Sequence, residues 1–161
     1  MERKLELITL TGCEVMEKTL ENIFTMAATI YNQVVTFADD VNDDNFDFQI
    51  LYTDKGVLQS ARLLTSLSRI KASHKDVVMT IEEFDKIITN AEELRKDTLF
   101  GRFGIFNERV YRKNKELYEF MKNAEVEIRI MIENITKATN KLENYLGELE
   151  EKGEKIIVGK D

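Results

Sequence analysis

Apolar residues recur three and four positions apart along two long stretches of this chain. This spacing places them on one face of an α-helix, whereas alternation at every second residue would indicate a strand. We therefore predict a first helix over about residues 12–39 and a last helix from about residue 110 to a C-cap at Gly153. The seam positions are Cys13, Met16, Leu20, Ile23, Ala27, Ile30, Val34 and Phe37, then Val110, Asn114, Leu117, Met121, Ala124, Ile128, Met131, Ile135, Ala138, Leu142, Tyr145 and Leu149.

Two shorter helices are predicted between these long ones. The first covers about residues 57–72, and the second follows Thr80, which fits a capping box with Glu83. The predicted fold class is therefore all-α. It is an elongated helical bundle with two long heptad-patterned helices, as in a coiled coil, and two shorter helices between them.

Three short apolar runs leave an alternative open. Residues 4–10, 46–53 and 154–158 are too short for their periodicity to separate helix from strand. They would form a small sheet in an α+β fold. In either fold the absence of a linker or an internal repeat predicts a single domain over residues 1–161.

The predicted helix lengths imply association. Since a helix rises 1.5 Å per residue, the last helix is longer than the first, and the shorter helices cover only part of the remainder. A seam of Ile, Met and Leu left in water would be an exposed apolar stripe, so we expect it to meet a second copy or another protein.

The predicted partner-binding residues come from the C-terminal part of the seam of the last helix, which we call the late seam, and from the segment before that helix. That segment places aromatic residues and an arginine among glycines, and such residue types are enriched in binding hot spots. The set consists of Phe100, Arg102, Phe103, Ile128, Met131, Ile135, Leu142, Tyr145 and Leu149.

Composition places the chain in the cytoplasm. The formal net charge is −7, and the single cysteine, Cys13, has no partner within the chain for a disulfide. Together with the lack of a signal peptide or of an apolar membrane segment, this predicts a reducing, cytoplasmic environment and no membrane contact. The acidic mean disfavours non-specific binding to nucleic acid.

The only histidine provides an enzymatic alternative. It stands in Arg69–Ile–Lys–Ala–Ser–His74. This Arg-x4-His spacing resembles the catalytic signature of HEPN-type ribonucleases, which are small helical bundles that act as dimers. The resemblance implies that Arg69 would stabilise phosphate charge and His74 would transfer a proton.

Two basic segments provide a third alternative. Residues 54–75 carry five basic and one acidic residue, and residues 99–122 carry six basic and three acidic ones. Segments 61–75 and 102–115 could therefore contact the phosphates of a nucleic acid, with affinity that falls as salt rises.

No pattern predicts a metal ion or a cofactor. One histidine and one cysteine do not suffice for an ordinary zinc site, and a phosphate-binding loop is absent. The acidic pair Glu14/Glu17 and the pair Glu82/Asp85 are spacings that an acidic chain produces by chance. We therefore favour a non-enzymatic interaction module, a scaffold or a small acidic inhibitor or adaptor, that self-associates or binds a protein partner.

Overall fold

The computed structural model describes residues 5–96 and 107–151, apart from the side chain of Glu150, and these residues are almost entirely helical. The helices are α1 (Leu10–Asn42), a short 3-10 helix (Phe48–Tyr52), α2 (Asp54–Arg95) and α3 (Glu108–Glu151). The prediction of an all-α helical bundle is thus confirmed, and no strand occurs in the described ranges. None of the described helices has a stretch apolar enough and long enough to cross a membrane.

The alternative fold with a small sheet is wrong for those of its residues that the structure describes. Residues 46–53 contain the 3-10 helix, whose N-cap Asp47 accepts a hydrogen bond from the backbone N–H of Gln49 at 3.0 Å. Residues 5–9 have no regular secondary structure, and residues 154–158 lie outside the described residues.

The two shorter helices are a single helix, α2, of 42 residues. Thr80 does not start a helix, because its hydroxyl donates to the carbonyl of Asp76 at 2.8 Å inside α2. Such a bond to the preceding turn is an alternative to capping that local sequence does not exclude. Ile70 and Val77 are both buried. The polar residues between them belong to the same uninterrupted helix.

The ends of α1 also differ from the prediction. Its N-cap is Thr9, whose hydroxyl accepts from the N–H of Gly12 at 3.0 Å, so the helix begins at Leu10 and not near residue 12. At the other end the helix continues past Asp39 to Asn42. There the Lys141 ammonium donates to the Asn42 carbonyl at 2.7 Å. The acidic residues near this end of α1 oppose the helix dipole, and the lysine cation offsets their effect.

The chain forms two compact units, and each of the three helices contributes a segment to both. Unit 1 comprises residues 1–25 and 74–127, and unit 2 comprises residues 26–73 and 128–161. Within each unit the helix segments bury one apolar face each. The largest fully buried side chains are Phe84, Val77, Met121, Asn114 and Cys13 in unit 1, and Leu63, Ile70, Ile128, Ile135 and Val41 in unit 2.

The lengths of the described helices differ from those that predicted association. The prediction required two short helices beside the last one, whereas α2 has 42 residues and α3 has 44. Association loses this support and stays a prediction.

Asn114 ties the N-terminal segment to α3 in unit 1. Its side chain is fully buried, and its amide donates to the carbonyls of Ile8 and Val110, both at 2.8 Å. Its Oδ1 accepts from the N–H of Ile8 at 3.0 Å. The asparagine is therefore a buried anchor for residues 5–9.

The variant Asn114→Leu tests this anchor. Leucine keeps the branching of the side chain but leaves the N–H and carbonyl of Ile8 without their partners, so we expect the free energy of unfolding to fall by about 1–3 kcal/mol. Urea denaturation measures the loss, and Asn123→Leu, at an exposed position of the same helix, is the matched control. Equal stability of the two variants would contradict the assignment.

Cys13 is a buried free thiol of α1. Burial raises its pKa above the ordinary value, and the nearby Lys113 ammonium only partly opposes this effect. Because the thiolate is the reactive form, the native thiol is expected to be inert.

Labelling with a maleimide at neutral pH measures this reactivity. We expect Cys13 to react slowly in the native protein and at an ordinary thiol rate in urea. A cysteine placed at the exposed Lys18 of the same helix is the control and should react quickly in both conditions. Equal native rates at the two positions would refute the burial argument.

Candidate functional site

The first half of α2 carries two depressions side by side in unit 2, and we call residues 57–69 of α2 with these depressions the α2 surface. The depression toward α3 is apolar, and we call it the apolar groove. It has a volume of about 270 Å³. Its lining residues are Leu51, Val57, Ser60, Ala61, Leu64, Thr139, Leu142, Glu143 and Leu146.

Leu64 lies at the rim of the apolar groove and is 53% exposed. A large apolar side chain exposed beside an apolar depression is more informative than a single exposed leucine, because scattered ones are normal on protein surfaces. Ser60, a polar lining residue, donates its hydroxyl to the Gly56 carbonyl at 2.8 Å and is thereby satisfied within α2.

The depression toward α1 is positively charged, and we call it the basic cleft. It has a volume of about 680 Å³. Its lining residues are Gln33 and Val34 of α1, and Leu58, Ala61, Arg62, Thr65, Ser66 and Arg69 of α2. Two arginines and no acidic residue line it, and α1 contains no charged residue between Glu21 and Asp39.

The two arginines of the basic cleft are free. Within the described ranges, neither the Arg62 nor the Arg69 guanidinium takes part in a hydrogen bond or an ion pair, and Arg69 accepts only through its backbone carbonyl, from the Ser73 hydroxyl. Both side chains are exposed. Free guanidinium groups in a cleft can form bidentate hydrogen bonds with carboxylates or phosphates.

Helical periodicity explains why the depressions lie next to each other. Val57, Ala61 and Leu64 follow at intervals of four and three along one flank of α2, while Leu58, Arg62, Thr65 and Arg69 follow the other flank. Ala61 lines both depressions, and its small side chain leaves both of them open.

The start of α2 holds the end of the apolar groove in place. Thr53 caps the helix by accepting from the N–H of Gly56 at 3.1 Å. A Cβ on Gly56 would collide with the carbonyl oxygen of Ile50. Only glycine therefore allows the 3-10 helix to approach α2 this closely, which positions Leu51 in the groove.

The predicted late-seam residues lie mostly in the core of unit 2. Ile128, Ile135, Leu142 and Leu149 are buried, and Met131 and Tyr145 are half-buried. The Tyr145 ring stacks on Phe48 with 4.3 Å between centroids. Of this set, Leu142 alone lines the apolar groove, while Phe100, Arg102 and Phe103 fall outside the described residues.

Leu58 and Leu64 are exposed, although neither was predicted from the sequence to lie at the surface. Leu64 stands next to the inner face marked by Leu63, Leu67 and Ile70, so its apolar character looked like part of the core pattern. Its neighbours Arg62 and Thr65 were the only sign that this flank of the helix meets solvent.

The residues of the Arg-x4-His pattern have different surroundings. Arg69 lines the basic cleft. His74 belongs to unit 1, where its Nε2 lies 3.3 Å from Oε1 of Glu125 on α3. The ribonuclease interpretation stays a prediction, with no reacting group placed beside Arg69 in its cleft.

The described part of the second basic segment differs from the first because its charges are offset. Arg109, Arg112 and Lys113 line a cleft in unit 1 together with Glu14, Glu108 and Glu116. Lys113 pairs with Glu17 at 3.5 Å and Lys115 with Glu92 at 2.8 Å.

Glu92 shows that this offset is electrostatically effective. Hydrogen bonds from Lys115, and then from the Tyr111 hydroxyl, lower the pKa of its carboxyl below the ordinary value. Within the described residues, the cleft that holds Arg109 and Arg112 is therefore lined by acids as well, whereas the basic cleft is lined by arginines alone among charged residues.

One member of each acidic pair makes a contact of its own in unit 1. No group of three or more potential ligands is close enough to hold an ion in the part of the chain that the structure describes. Glu17 instead pairs with Lys113, and Asp85 accepts a hydrogen bond from the Tyr118 hydroxyl at 2.8 Å.

Comparisons with protein-family models, with curated proteins and with solved structures found no match to this chain. The functional argument therefore depends on the geometry and charge of the α2 surface.

The enzymatic alternative has a direct test in His74→Ala. Because the His74 ring is engaged with the Glu125 carboxylate, we expect RNA incubated with the wild type and with this variant to be degraded equally slowly. Gel analysis of a labelled RNA measures this, with thermal melting to show that the variant is folded. Cleavage by the wild type that disappears in a folded variant would establish the ribonuclease.

Proposed function

We propose that this protein is a non-enzymatic protein–protein interaction module whose apolar groove binds a helical segment of a partner. The observation that carries the proposal is the exposed Leu64 at the rim of a preformed apolar depression. Grooves of this kind receive the apolar face of an amphipathic helix through anchors spaced three and four residues apart.

The size of the groove supports side chains of a partner over a small substrate. At about 270 Å³ it is at the lower limit of small-molecule sites, which span roughly 300–1,000 Å³. Glu143 is the only ionisable residue in its lining. A single carboxylate with no second acid or base in the lining does not form the acid–base constellation that catalysis usually requires.

The proposal moves the interaction site away from the late seam. Ile128 and Ile135 are fully buried within unit 2, so a partner could reach them only by separating its helices. The apolar groove is open without any such change. A cytoplasmic location remains part of the proposal, supported by the free Cys13, and the protein would act there as a scaffold, adaptor or inhibitor.

The variant Leu64→Glu tests the proposal. The matched control is Met79→Glu, at a position of the same helix with nearly the same exposure, 52% against 53%. A displayed library of helical peptides of about 20 residues, long enough for several turns, is selected on the wild-type protein. We expect binders with an apolar stripe that lose at least about tenfold in affinity on Leu64→Glu, since removal of one apolar anchor typically costs this much.

Affinity for Met79→Glu should equal that for the wild type, and melting curves verify that both variants are folded. Binders unaffected by Leu64→Glu, or a selection that returns none, would refute the proposal. Light scattering on the wild type identifies a second copy as the occupant if the mass is twice that of the chain and Leu64→Glu restores the single-chain mass.

A further inference from the structure

We propose that Arg62 and Arg69 bind two carboxylates spaced seven residues apart on the partner helix, so that the module selects acidic amphipathic helices. This inference rests on the proposed function, because it assumes a helix anchored in the apolar groove. It adds the chemical class of the partner and the alignment of its helix along α2.

The spacing of the arginines carries the inference. They stand seven residues apart on one flank of α2, which corresponds to about 10.5 Å along the axis at 1.5 Å per residue. A partner helix that lies along α2 has the same rise. Two acidic residues seven positions apart on it therefore align with both arginines, while its adjacent apolar face meets the groove on the other side of Ala61.

The charge distribution points the same way. A protein with a net charge of −7 repels acidic partners in general. The basic cleft is a local exception, since no acid lines it and neither guanidinium is neutralised by a neighbour. Clefts lined by charges of one sign attract ligands of the opposite sign and suppress wrong partners.

The lining favours carboxylates on a protein over a nucleic acid. Single-stranded nucleic acids are bound by grooves that combine basic residues with aromatic side chains on which bases stack. No aromatic residue lines the basic cleft. The apolar groove beside it matches the second face of an amphipathic helix and has no counterpart in a polyphosphate backbone.

Selections from the same helical library on two double variants test the inference. Arg62→Gln/Arg69→Gln removes both guanidinium groups. Lys71→Gln/Lys75→Gln removes two exposed charges from the same stretch of α2 outside the cleft and is the matched control. Peptides selected on the wild type and on the control should be enriched in acidic pairs seven apart, and this enrichment should vanish on the arginine variant.

Affinities give a second readout. The tightest wild-type binder should lose about two- to thirty-fold on the arginine variant, as expected for two solvent-exposed ion pairs. The loss should shrink at high salt because salt screens exposed charges. Replacing the two acidic residues of the peptide's pair by their amides should produce the same loss of affinity for the wild type and no further loss for the arginine variant.

The outcomes separate the two proposals. Binders that require Leu64 but are indifferent to Arg62→Gln/Arg69→Gln would overturn this inference and leave the proposed function in place. A selection without Leu64-dependent binders would overturn both. A labelled single-stranded RNA that binds the wild type and is released by the arginine variant would overturn the assignment to carboxylates in favour of phosphates.

Discussion

The structure depends on burying the apolar seam of α3, and this requires long helices beside it. α2 meets that requirement because nothing between Asp54 and Arg95 interrupts it: the span contains one glycine, near its start, and no proline. The expectation of two shorter helices implied that part of the seam would stay in water. In the structure, Ile128 and Ile135 lie in the core of unit 2.

Polar contacts then define how the segments fit within each unit. In unit 1, Asn114 satisfies both backbone groups of Ile8. In unit 2, the Asn42 amide donates to Oδ1 of Asn134 at 2.9 Å, and Lys141 donates to the Asn42 carbonyl at the C-terminus of α1. Buried polar groups cost stability unless they are paired, so such contacts favour one register over its alternatives.

The α2 surface is a consequence of this packing. Three helix segments that bury one face each leave the opposite flanks of α2 in contact with solvent, one apolar and one basic. The contrast with the second basic segment is instructive, because its lysines pair with glutamates across helices while Arg62 and Arg69 find no acid opposite them. Function in an otherwise acidic protein would then arise where charge pairing is left incomplete.

The sequence by itself determined the helical class, the seam positions and the burial of Cys13, because these depend on periodicity within one segment. Only the tertiary structure decided that α2 is continuous and that Thr80 bonds backward instead of capping, since neighbouring helices supply the burial that outweighs a local capping pattern. It also decided that Leu64 faces a groove and that the arginines stay unpaired. Those properties depend on which residues of α1 and α3 stand opposite, and spacing along one helix carries no information about its neighbours.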